Sequence, residues 1–158
     1  MKIEVVESGA TAKLRKGFKN LADVKAVTKP VMREAAGALH ESTEYAFEQE
    51  RDPTTNAPWL PWSDPWKEWR EEHGYTPEKK LSLTGQLASS MTTDYGDDYA
   101  LIGTNKVYGA IHQWGGLSTM PPGPRNIPAR PYMGLDDTGE QLILASINKA
   151  VNKALGTS

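Results

Sequence analysis

Residues 136–155 read DDTGEQLILASINKAVNKAL, and their apolar members recur at helical spacing. Leu142, Ile143, Ile147, Ala150, Val151, Ala154 and Leu155 share one side of a 3.6-residue period, which predicts a long C-terminal helix with that side turned inward. Asp136, Asp137 and Glu140 lie in its first turns and Lys149 and Lys153 near its end, the favourable sense for the helix dipole. A partner for this helix is legible upstream. Thr28 as cap and Pro30 in the first turn open a helix running to about Glu50, where Asp52-Pro53 closes it. Its stripe of Val31, Ala35, Ala38, Leu39, Ser42 and Ala46 is narrow and made mostly of small residues, so another helix can approach closely.

Leu14, Phe18 and Leu21 recur at spacings of four and three and predict an earlier helix from Thr11 to about Val27. Ahead of it, Lys2–Glu7 reads KIEVVE, an edge strand or an arm. Further along, Ser82–Ser89 suggests a turn opening into a short helix with Leu83, Leu87 and Met91 inward, and Asp94–Asp98 the next turn. Tyr99–Ile102 reads as a strand stopped by Gly103. Val107, Tyr108, Ile111 and His112 suit a short helix ended by Gly115-Gly116. The expected fold class is α+β: a small antiparallel sheet packed with two N-terminal helices and the long C-terminal helix, all in one domain spanning 1–158.

Composition narrows the function. With no cysteine there is no disulfide framework, thiol nucleophile or cysteine-ligated metal, and synthesis in a reducing compartment is expected. Eighteen Lys plus Arg against twenty Asp plus Glu provide no global positive field for nucleic acid. No stretch has a signal-peptide pattern or approaches the roughly 20 apolar residues of a membrane helix. His40, His73 and His112 are scattered without metal-motif spacing, and no G-x-S-x-G elbow or phosphate loop is present. No cofactor, metal or small-molecule substrate is expected, and assembly rather than catalysis is the expected work.

Residues 53–80 hold five of the eleven prolines and four of the five tryptophans. Such density predicts an irregular segment tied down by aromatic anchors, with one or two helical turns over Lys67–Glu72. Trp59, Trp62 and Trp66 are candidate contacts there. They could serve as a platform for a protein or a single nucleic-acid strand, but few cations accompany them, so direct nucleic-acid binding is disfavoured against a packing or subunit-contact role. Residues 117–126 predict a protruding loop. Ile127–Gly134, restricted by Pro128 and Pro131, is expected to be fixed against the domain, with the Arg130 fork on a carboxylate or carbonyl. Gly115 and Gly116 supply unusual backbone angles beside His112, whose hydrogen bonding can hold the turn they make.

Three ordered blocks carry a resemblance. Leu83-Thr84-Gly85-Gln86-Leu87 is followed by Ile102-Gly103-Thr104 leading to Tyr108-Gly109-Ala110-Ile111-His112-Gln113-Trp114-Gly115-Gly116, and then by Ile127-Pro128-Ala129-Arg130-Pro131-Tyr132-Met133-Gly134. Together with Phe47, Asp52-Pro53 and Trp59, this order resembles the phage virion morphogenesis family, the tail completion proteins of long-tailed phages. Trp114 and Tyr132 keep a large ring where the family places aromatics. The resemblance implies a structural subunit, made in the bacterial host cytoplasm and built into the virion at the tail–head junction. It implies self-association into a ring, commonly of six, and contact with tail tube or neck proteins. By the same resemblance Tyr108, His112, Trp114, Gly115, Gly116, Arg130 and Tyr132 join the tryptophans as structural or interface residues.

Overall fold

The computed structural model describes residue 19 and residues 24–75, 79–116 and 127–155. The expected strand at 2–7, most of the helix from Thr11, and the loop at 117–126 lie outside those residues.

Helix α1 spans Val24–Gln49 and carries Pro30 inside it. The expected cap at Thr28 is therefore corrected: Thr28 is a helical residue, and its hydroxyl donates to the Asp97 carbonyl instead. Proline removes one backbone hydrogen bond near this end, and the contact with Asp97 ties the same turn to the sheet. At the other end Glu50 takes a left-handed φ of 54° and the Arg51 N–H returns to the Ala46 carbonyl, so the helix closes one residue before the expected end and without glycine. Of the predicted stripe, Val31, Ala35, Ala38, Ser42 and Ala46 are buried and Leu39 is half-buried, and the buried face is wider, adding Ala36, Thr43 and Phe47.

The C-terminal helix, labelled α4 below because two short helices precede it, spans Asp137–Leu155 and packs along α1. Asp136 caps it, its carboxylate accepting the Gly139 N–H at 2.7 Å and the Ser42 hydroxyl at 2.9 Å. A Cβ on Gly139 would sit 2.8 Å from the Ser42 oxygen, so the close approach that the small stripe predicts depends on glycine at this crossing. The expected inward side needs correction, because Leu142 and Ile147 are exposed. The buried positions are Gly139 and Ala154, with Ile143, Ala150 and Val151 half-buried between them. Contact with α1 selects a side centred nearer the small residues than the large ones.

The sheet is a two-stranded antiparallel hairpin of β1 (Met91–Tyr95) and β2 (Ala100–Thr104), paired from Met91↔Thr104 to Tyr95↔Ala100. It packs against α1. Three expectations shift here. Only Ala88–Ser90 forms a tight 3-10 turn where a short helix was expected, and Met91 begins a strand. Asp94 and Tyr95 belong to that strand, leaving the turn at Gly96–Tyr99, closed by the Gly96 N–H on the Tyr99 carbonyl at 2.9 Å. Gly103 does not stop β2 but pairs with Thr92, since a glycine in a ladder keeps both backbone hydrogen-bonding groups.

Within 53–80, Asp64–Glu72 is a regular helix, α2, starting three residues before the expected turns. Pro65 sits in its first turn, where its missing N–H costs nothing. Helix α3 spans Gly109–Trp114 and ends on Gly115 at φ 82°. A core of Ala46, Phe47, Trp59, Leu87, Met91 and Tyr132 joins α1, the tryptophan segment, the hairpin and the strap at 127–134.

Candidate functional site

The strap at 127–134 has no regular secondary structure, so its backbone groups must find partners elsewhere. Gln113 supplies three of them. Its side-chain oxygen accepts the N–H groups of Tyr132 and Met133, both at 3.0 Å, and its amide nitrogen donates to the Met133 carbonyl at 3.1 Å. The Arg130 N–H donates to the His112 carbonyl at 2.7 Å, and the Gly116 N–H to the Ile127 carbonyl at 2.8 Å. Gly115 is required at this seam: a Cβ there would lie 3.0 Å from the Ile127 oxygen and 3.1 Å from the Ala129 nitrogen, on top of a positive φ.

The strap is tied just as firmly to the tryptophan segment. The Trp59 indole N–H donates to the Pro131 carbonyl at 2.7 Å. The Arg130 guanidinium donates through Nε to the Leu60 carbonyl at 3.0 Å and through Nη2 to the Pro61 carbonyl at 2.9 Å. Phe47 lies edge-on to Trp59 at 5.9 Å and tilted against Tyr132 at 5.2 Å. Tyr132 is fully buried, and its hydroxyl lies where a Cβ on Gly109 would come within 2.8 Å. Trp59, Arg130 and Tyr132 are thus internal struts.

Above these struts lies a cleft of about 730 Å³. Leu83 and Gln86 from the first block, Tyr108 and His112 from the second, and Ile127 and Pro128 from the third all line it, together with Trp62 and Trp66. Three segments far apart in sequence therefore meet at one surface. Arg70 lies beneath, its guanidinium 4.3 Å from the Trp62 ring centre. Among the described residues no carboxylate lines this cleft. His112 Nδ1 is buried with no partner among the described residues, and the glycine turn is held instead by the Gly115 N–H on the Ile111 carbonyl and the Gly116 N–H on the Ile127 carbonyl. Burial, and then the Arg130 charge, hold His112 below the usual imidazole pKa.

The remaining candidates separate. Trp66 stacks on Trp69 at 4.9 Å, and Trp69 on His73 at 4.2 Å, forming a ladder along α2. Trp114 is 79% exposed and lies outside the cleft lining. Sequence reasoning passed over Gln113 and Arg70. Gln113 stood between two more conspicuous residues, yet it is four positions from Gly109, and these two are the buried residues of α3. No group of His, Cys, Asp or Glu among the described residues could hold a metal.

A model of the phage virion morphogenesis family matches residues 10–152, nearly the whole chain. The chain belongs to that family. It is 57% identical over 125 residues to the putative capsid assembly protein G of Escherichia phage Mu, covering 79% of this chain and 80% of that protein. It is also 35% identical to Mu-like prophage FluMu G protein 1 of Haemophilus influenzae over 145 residues, covering 90% and 92%. FluMu G protein 2 of the same organism is 32% identical over 143 residues, covering 90% and 91%. No solved structure matches. Membership assigns the chain a structural part in phage morphogenesis, and the three blocks lining one cleft are the blocks on which the resemblance was read. No described helix is long and apolar enough to cross a membrane.

Proposed function

We propose that this chain is a tail completion or head–tail joining subunit that acts as a homo-oligomeric ring, commonly of six copies, at the neck of the virion. Made in the host cytoplasm, it would act there as a single domain and meet tail tube or neck proteins as well as its own copies. One observation carries this reading. The second and third blocks and the tryptophan segment brace one another through Gln113, Arg130 and Trp59, and together with the first block they leave an apolar cleft facing outward. A rigid frame behind an apolar surface suits protein contact. The name of the phage Mu relative, putative capsid assembly protein G, supports the same assembly context.

The alternative, a binding module for a single nucleic-acid strand built on the tryptophans, has less support. Trp59 is in the core, Trp66 and Trp69 occupy each other's faces, and α2 carries Asp64, Glu68, Glu71 and Glu72 against Lys67 and Arg70. That balance repels a polyanion. Immunogold labelling of purified virions tests the leading reading: label at the tail–head junction is expected, and full-length virions without the protein contradict it.

A further inference from the structure

We infer that the ring contact is head-to-tail, with the carboxylate-free cleft of one copy receiving an acidic, aromatic ridge of α1 from the next. This inference rests on the ring proposed above and names the two faces that would close it. The ridge consists of Glu41, Glu44, Tyr45 and Glu48, spaced so that all four project from one side of α1, and all four are exposed. Tyr45 is 48% exposed, a large ring standing among carboxylates. The groove beside it adds Asp136, Asp137 and the exposed Leu142, with Arg51 as its one basic lining residue among the described residues.

The cleft complements the charge and the apolar character of that ridge. Trp62, Leu83, Tyr108 and Ile127 offer apolar walls to a ring, and Arg70 and Arg130 lie at its floor. Arg130 is withdrawn from water and bonded to two backbone carbonyls, and burial lowers its pKa. Glu50, the carboxylate whose charge reaches it, is already held by Lys80 at 2.8 Å. A desolvated cation of this kind gains from an approaching carboxylate, and an amphipathic helix laid into an apolar groove is a recurrent mode of recognition. The two faces share no lining residue, so one copy presents both at once. Unlike faces that pair in this way generate a closed ring when the rotation between copies closes.

Two exposed substitutions disable one face each: Tyr45→Glu removes the ridge's apolar anchor, and Thr84→Glu places a carboxylate at the cleft rim. Each purified full-length variant, with an unchanged far-UV circular dichroism spectrum as the control for folding, is weighed by native mass spectrometry alone and in equal mixture. The expected result is a ring for the unmodified chain, a monomer for either variant alone, and a dimer for the mixture, because only one working ridge and one working cleft remain. If both variants still form the parent's ring, or the mixture stays monomeric while the parent forms a ring, these faces are not the contact and the ring reading stands. A parent that stays monomeric at every concentration overturns the ring and this contact together.

Discussion

The indole N–H of Trp59 meets the carbonyl of Pro131 at 2.7 Å, joining the tryptophan segment to the last of the three sequence blocks across 72 positions of chain. Both groups are withdrawn from water, so neither finds another partner cheaply. Trp59→Phe keeps most of the ring against Phe47 but leaves the carbonyl unpaired, and should cost about 1–3 kcal/mol. Trp59→Ala also empties the core site and should cost about 3–5 kcal/mol. Urea unfolding of the two variants checks the order; a phenylalanine variant as stable as the parent would mean that the hydrogen bond contributes nothing.

Arg130 holds two successive carbonyls with one guanidinium, and it is only 6% exposed. Arg130→Ala should lose roughly 1.5–3 kcal/mol, the range for hydrogen bonds made by a charged group. Arg130→Lys keeps a charge but lacks the fork and should recover less than half of that loss. Thermal unfolding separates the cases, with about 2–4 °C expected for each kcal/mol in a domain of this size. A lysine variant that melts with the parent would show that charge, not geometry, is what the strap needs.

At the α1–α4 crossing, Gly139→Ala should destabilise the fold by about 1–3 kcal/mol, since the new methyl meets the Ser42 oxygen at 2.8 Å and Leu135 at 3.0 Å. Ser42→Ala alone loses the hydroxyl's bond to Asp136 but opens that space. The double variant should therefore be less damaged than the two single losses added together. Additive losses in a double-mutant cycle would place the strain elsewhere.

His112 predicts a pH dependence. Its imidazole is held below the ordinary value of 6.5 by burial and then by Arg130, so the unfolded chain binds this proton more readily than the folded one. Its contribution to stability is complete above the unfolded pKa and is lost as pH falls through 6.5 toward the lower folded value. Glu50 behaves similarly at a lower pH: burial pushes its pKa up, but hydrogen bonds and charge from Lys80 pull it below 4.5. Denaturant unfolding against pH should show two acid limbs, and His112→Gln should remove only the upper one. Persistence of that limb in the variant would exclude His112 as its source.

The helices were legible because their burial follows a period, and the strap because proline and arginine chemistry restricts what such a segment can do. What escaped the sequence did so for identifiable reasons. Strand β1 buries Met91 and exposes the next four residues, so it carries no alternation to read. Leu142 and Ile147 looked like core but face away from α1, where contact with Ser42 favours Gly139. The four tryptophans of 53–80 are alike in sequence, yet Trp59 is 4% exposed and Trp66 39%, a division set by partners tens of residues away. Gln113 was passed over because a lone polar residue in a short helix gives no sign of the backbone it will satisfy. The meeting of three blocks at one cleft is a tertiary fact, although their order already marked the family.

The central claim is self-assembly into a ring, and native mass spectrometry of the unmodified full-length chain over a wide concentration range tests it most directly. A single closed species, commonly six copies, that persists on dilution is the predicted result. A strict monomer at every concentration would contradict it.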